Sequence, residues 1–209
     1  MYEDCQVEFP ERLTLENALD AQRRGATVRT YCEVREFLVQ QGAVKGVQYI
    51  DRITGLRATA SAPLTINAAG PWVDSVLRGV AGHDASLIGG TKGSHIVVGR
   101  FTGAPNHAVY VEAAADGRPY FIIPWAGQWL IGPTDIRDQG EPGDARASRD
   151  EVDYLLAEAN RIFPTAQLTV SDIRYTYSGV RPLPATSDES EAAITRRHIL
   201  HEHTPALAG

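Results

Sequence analysis

Apolar residues recur along this chain with two different periods. Over residues 11–24, Leu13, Leu15, Ala18, Leu19 and Ala21 are set among charges and Gly25 follows, the pattern of an amphipathic helix with a glycine stop. Residues 27–38 are rich in strand formers. Gln41-Gly42 then turns the chain into residues 44–50, and residues 51–55 turn it again, which predicts a meander of short strands. Residues 63–68 are apolar without alternation, the mark of a short strand buried on both faces. Gly70-Pro71 comes next, and Pro71 suits the first turn of a helix running to about residue 80. A strand, a glycine and a helix make an α/β step, and ligands sit at the carboxyl ends of such strands.

The character changes after Gly82. Residues 95–98, 108–112, 120–124 and 129–132 read as short strands separated by Gly, Pro, Asn and Asp, an antiparallel sheet by composition. Residues 138–147 form a polar loop. Ser148-Arg149-Asp150-Glu151 fits a capping box, and Val152, Leu155, Leu156, Ala159 and Ile162 then recur at helical spacing before Pro164. Residues 168–180 return to strand character. No internal repeat or low-complexity segment interrupts the pattern.

Composition narrows the picture. The 209 residues suffice for one large domain or two small lobes, and an apolar share of 43% is that of an ordinary globular protein. Twenty acidic residues would balance the 20 basic ones; the actual 26 give a net charge of −6 and argue against nucleic acid as a partner. A few arginines in a cleft can still dominate the local field around a small anion. Cys5 and Cys32 match no metal spacing and read as reduced and cytosolic thiols. No run reaches the roughly 20 apolar residues of a membrane-spanning helix. The start lacks the basic-then-apolar order of a signal peptide, and both ends read as cut, so a piece of a larger protein is expected.

Three short blocks can carry chemistry. Asn67-Ala68-Ala69-Gly70 puts small side chains at a strand end, where peptide N–H groups can approach a ligand and Gly70 can take a positive φ; a tight strand-to-helix turn accounts for it equally. Lys92-Gly93-Ser94-His95 brings a histidine to the start of an apolar strand, where it serves either as a proton acceptor or as a structural hydrogen-bonder. Ser178-Gly179-Val180-Arg181-Pro182-Leu183 delivers an arginine to a turn; arginine is the residue suited to bidentate contact with carboxylate or phosphate, and also a common solvated surface residue. Arg196 and Arg197 follow after the acidic loop at 187–191. His83, His107, His198, His201 and His203 show no metal arrangement. Tyr120, Phe121, Trp125 and Trp129 cluster around Pro124 and read as core or sheet-face residues, a substrate wall being the minor alternative.

These blocks, in this order, resemble the FAD-dependent glycerol-3-phosphate dehydrogenases and the related glycerophosphate oxidases. The matching segments are 67–72, 92–98, 121–125, 131–135, 175–183 and 193–196, spread over most of the chain. The resemblance implies an α+β fold: an antiparallel substrate-binding sheet plus part of an FAD-binding α/β domain of the flavin oxidoreductase type. It allots residues 1–80 to the flavin lobe, 81–185 to the substrate lobe and 186–209 to a return segment toward the flavin lobe. It also implies hydride transfer from sn-glycerol 3-phosphate to FAD, with dihydroxyacetone phosphate as product and quinone, or oxygen in the oxidases, as electron acceptor.

By the same resemblance His95 and Arg181 are active-site residues, Arg196 is a phosphate ligand, and Val34, Ala69 and Gly70 contact FAD. The catalytic base stays open between His95 and a neighbour of Arg181. No metal is implied. A cytoplasmic location is expected, with the parent protein attached peripherally to the inner face of the cytoplasmic membrane through its quinone partner. A homodimer is left open. The Gly-x-Gly-x-x-Gly loop that cradles the FAD pyrophosphate is missing, and so is the family's later Gly-Gly-Lys-Leu-Thr block, so the isolated chain is expected to bind FAD poorly and to turn over little. An amine or amino-acid oxidase of the same superfamily, and a non-catalytic substrate-binding module, are the competing readings.

Overall fold

The computed structural model describes residues 7–78, 86–186, 194–197 and 199–203. Cys5, His83, His198, the acidic loop at 187–191 and the far end of the helix expected after Pro71 lie outside the described residues. The chain divides into two compact units, Met1–Thr65 and Ile66–Gly209.

The first unit holds a helix and a meander. Helix α1 (Pro10–Arg23) starts on Pro10, whose missing N–H costs nothing in a first turn, and stops before Gly25 at φ +96°. Strands β1 (Cys32–Gln40), β2 (Ala43–Asp51) and β3 (Arg57–Ser61) form an antiparallel sheet in sequential order. The first strand begins five residues later than the pattern predicts, because Tyr31 takes φ +57° and turns the chain there. The Asp51 carboxylate accepts from the amides of Ile53 and Thr54 and shapes the second turn, which holds its pKa below the ordinary value.

The second unit opens with a departure from the sequence pattern. Residues 63–68 form no strand: Leu64 and Ile66 are 72% and 77% exposed. A strand buried on both faces needs ladder neighbours on both edges, and no described residue pairs with this segment. Asn67 instead closes a turn, accepting from the amide of Ala69 and donating to the Val73 carbonyl (3.2 and 3.1 Å). A 3-10 turn at Gly70–Trp72 leads into the short helix α2 (Val73–Leu77). The Asp74 carboxylate then anchors residues 86–88 through the amides of Leu87 and Ile88, both at 3.0 Å.

The sheet of this unit is antiparallel throughout. It comprises β4 (Thr91–Val98), β5 (Val109–Glu112), β6 (Pro119–Trp125), β7 (Gln128–Gly132), β8 (Ile136–Arg137) and β9 (Ile173–Arg181). Strand β4 is the hub, with β7 and β8 on one edge and β9 along the other. Helix α3 (Arg149–Ile162) covers one face and starts with the predicted capping box: the Ser148 hydroxyl accepts from the Glu151 amide, and the Glu151 carboxylate accepts from the Ser148 amide. Val152, Leu155, Leu156 and Ala159 pack on Ile96, Val98, Tyr120, Ile122 and Ile131. Each large apolar side chain so buried contributes about 1.5–3 kcal/mol. Before β9, residues Val170–Asp172 form a 3-10 turn where strand was expected, since the Asp172 carboxylate accepts from both the amide and the hydroxyl of Thr169.

Candidate active site

Alternation along β4 sorts the Lys92-Gly93-Ser94-His95 block onto two faces. Lys92 and Ser94 point toward α3. Lys92 Nζ meets Glu151 Oε2 at 2.9 Å and donates to the Arg146 carbonyl at 2.8 Å. The Ser94 amide donates to Thr134 Oγ1 at 2.8 Å, and the Thr134 hydroxyl donates to Glu151 Oε1 at 2.7 Å. The Ser94 hydroxyl also bonds that of Ser178 across the ladder at 2.8 Å. Burial pushes the Glu151 carboxyl up, but the Ser148 amide, the Thr134 hydroxyl, the Lys92 ammonium and Ser94 outweigh it and hold its pKa at about 2. The cap of α3 and the hub strand are thus tied through one buried carboxylate.

Gly93 and His95 occupy the opposite face. The His95 ring stacks on Tyr177 of β9, with centroids 4.8 Å apart and planes 14° from parallel. Burial, with the nearby Arg181 cation adding to it, lowers the His95 pKa to about 4, so the imidazole is neutral at pH 7. Among the described residues its Nδ1 is buried without a hydrogen-bond partner. Gly132, at φ +143°, is what lets the ring lie there: a Cβ at that position would meet His95 Cδ2 at 2.8 Å and the Ser94 carbonyl oxygen at 2.9 Å.

Arg181 ends β9 on the same face. Its Cα is opposite Thr91, and its side chain runs diagonally so that the guanidinium lies over Gly93. Arg181 Nη1 donates to Asp135 Oδ1 at 2.9 Å and Nη2 to the Thr134 carbonyl at 3.4 Å. Arg196 Nη2 reaches the other oxygen of the same carboxylate at 3.5 Å. The arginine side chains are 25% and 59% exposed, so Arg181 is held and Arg196 keeps most of its donors free for a ligand. Two cations sharing one anion leave a net positive charge on this face, suited to a small anion.

The structure therefore gathers His95, Arg181 and Arg196 into one neighbourhood. The 3-10 turn carrying Gly70 packs against β9, and beside Ala69 the Gly70 backbone takes φ +56° with no atom of the described residues within 4 Å of where a Cβ would stand. A planar group such as a flavin ring can approach such bare backbone, so these two residues fit that group. Val34 is exposed in β1 of the other unit, opposite Tyr49. Tyr120 and Trp129 are core residues, their polar atoms donating to the carbonyls of Glu158 and Pro105, while Phe121 packs edge-on against Tyr110 on the far face. Among the described residues no three His, Cys, Asp or Glu side chains group as metal ligands.

Sequence reasoning gave no individual role to Asp135, Thr134, Gly93, Gly132 or Tyr177, although all five lie in segments that carry the resemblance. Asp135 had a usable signal: Gly132-Pro133-Thr134-Asp135 puts polar groups directly after a buried strand. Nothing linear marks Gly93 or Tyr177, whose partners are Arg181 and His95 across the sheet.

The chain is similar to several known proteins. A glycerol-3-phosphate dehydrogenase of Synechocystis is 49% identical over 97% of the chain, and an aerobic glycerol-3-phosphate dehydrogenase of Staphylococcus aureus is 32% identical over 94%. The chain spans 38% and 35% of the length of these two relatives. The crystal structure of the glycerol-3-phosphate dehydrogenase from Bacillus halodurans complexed with FAD superposes with a TM-score of 0.78 at 37% identity, over 83% of this chain and 35% of that one. The sequence profile of the DAO family, described as FAD-dependent oxidoreductases, matches residues 1–204. With that match covering nearly its whole length, the chain belongs to the family of FAD-dependent oxidoreductases.

Proposed function

We propose that this chain forms the substrate-facing part of a flavoenzyme that oxidises sn-glycerol 3-phosphate to dihydroxyacetone phosphate, and that His95, Arg181 and Arg196 bind and activate the substrate. The observation that carries the reading is the shared Asp135: two arginines 15 positions apart converge on one carboxylate beside a neutral histidine. An amino-acid oxidase needs a single arginine facing a carboxylate, whereas a phosphate near two negative charges draws on both cations.

Each residue then has a distinct task. The exposed donors of Arg196 take the phosphate, and Arg181 holds the substrate's polar end against the sheet. His95 Nε2 accepts the proton of the secondary hydroxyl as hydride leaves the same carbon, which balances the two-electron oxidation to a ketone. Bound FAD supplies the acceptor for that hydride. Ala69 and Gly70 approach the flavin through bare backbone. Residues 1–80 and 186–209 belong to the flavin lobe and 81–185 to the substrate lobe. The electrons pass on to a quinone, with the parent protein held peripherally at the inner face of the cytoplasmic membrane. No described helix is long and apolar enough to cross a membrane.

Steady-state kinetics of the parent protein test the reading. It should purify with a flavin spectrum, oxidise sn-glycerol 3-phosphate with a quinone acceptor, and on Arg196→Ala show an apparent KM raised at least about tenfold with little change in melting temperature. A colourless parent protein, or an unchanged KM, defeats the assignment.

A further inference from the structure

Two glycines face each other across the β4–β9 ladder. Gly93 is directly opposite Gly179, between the Thr91–Arg181 pair and the stacked His95–Tyr177 pair. Residues paired in this way present the same sheet face. The face is therefore bare at one rung, with a cation on one side and an aromatic wall on the other.

The two positions differ in what a side chain would meet. At Gly93 the three nearest atoms to an added Cβ all belong to Arg181: Nη2 is nearest, and Cζ and Nη1 lie at 2.7 Å. The guanidinium lies flat on this residue. At Gly179 an added Cβ meets no atom of the described residues within 4 Å. Neither residue has a positive φ, so the backbone itself requires glycine at neither place. In the middle of strands, where glycine weakens the ladder and packs nothing, two opposed glycines with ordinary backbone call for another reason.

We infer that Gly93 and Gly179 form the floor of the substrate subsite, Gly93 seating the Arg181 guanidinium and Gly179 keeping open the space beside it that the substrate occupies. The inference rests on the reading of the site as that of a glycerol-3-phosphate dehydrogenase. Both glycines are positioning residues: Gly93 acts through Arg181, which a side chain at 93 would lift off the sheet and away from Asp135, and Gly179 acts by leaving room. A misplacement of about 1 Å in such a group costs about a hundredfold in rate.

The test uses Gly93→Ala and Gly179→Val in the parent protein. Gly93→Ala should lower kcat/KM at least about tenfold while flavin content and melting temperature stay at wild-type values, and should cost nothing further in an Arg181→Ala background, since the two changes remove the same feature. Gly179→Val should raise KM for sn-glycerol 3-phosphate more than it lowers kcat, and should keep its full effect in the Arg181→Ala background. A crystal structure of the Gly93→Ala protein should show the Arg181 guanidinium moved away from Asp135, which it meets at 2.9 Å when residue 93 is glycine. Wild-type kcat/KM in either variant, additive losses for Gly93→Ala with Arg181→Ala, or a guanidinium still on Asp135 would overturn the floor. A wild-type parent that holds flavin yet leaves sn-glycerol 3-phosphate untouched would instead overturn the substrate assignment, and the crystallographic arm would still decide where Gly93 seats Arg181.

Discussion

The two faces of β4 are built from the same eight residues to opposite ends. Toward α3, Lys92 and Ser94 have every polar head matched by Glu151, Thr134, Ser178 or a carbonyl, and Ile96 and Val98 close the core behind them. On the other face, Gly93 carries a guanidinium in place of a side chain, His95 has a buried ring nitrogen with no partner, and two arginines draw on one carboxylate. A fully satisfied polar network rigidifies a strand, and only groups left short of partners have capacity for a ligand. One face fixes the strand so that the other can present its groups in place.

The contrast is sharpest at Lys92. Lys92→Met leaves Glu151 buried without its cation and should destabilise the parent protein by about 3–5 kcal/mol, read from its denaturation midpoint. The Glu151 carboxyl has a pKa of about 2 against an ordinary 4.5, so its stabilisation is complete above pH 4.5 and fades as pH falls from there toward 2. A loss no larger than that of a surface substitution would mean that the α3 face is not what holds the strand.

Arg181→Ala probes the other face and should leave the fold nearly untouched. The expected loss is about a hundredfold to a thousandfold in kcat/KM for sn-glycerol 3-phosphate, with flavin retained. If this variant unfolds the protein while its activity per folded molecule is kept, the two faces have exchanged roles.

On folding stability, His95 gives the smallest effect and the most specific one. Its folded pKa of about 4 lies below the ordinary 6.5, so the unfolded chain takes up a proton that the folded chain refuses, and stability declines as pH falls from 6.5 to 4. His95→Gln removes that decline. The variant should gain on the order of 1–2 kcal/mol relative to wild type on going from pH 7 to pH 5. Parallel stability curves for the two proteins would place the ring in water.

Much of the fold was legible because it is local. The capping box at Ser148 and Glu151, the apolar stripe of α3 and the turns between β1, β2 and β3 depend on residues within a few positions of one another. The failures are instructive in the same terms. Residues 63–68 have the composition of a buried strand but no described neighbour to pair with, and residues 170–172 have strand-like composition overruled by one carboxylate. His95 and Arg181 stood out as polar residues at the ends of apolar runs, yet the lowered pKa of His95 and the exposure and partners of both did not.

By itself, then, the order of residues determined most of the helices and strands and the membership in a family of flavin oxidoreductases. Only the tertiary structure decided that Arg181 lies on Gly93, that Arg181 and Arg196 share Asp135, and that Glu151 serves both a helix cap and Lys92. Each of these includes a contact between residues some 45 to 90 positions apart. Local propensity acts over one or two turns, whereas such pairings exist only once the ladder register has brought distant rungs together.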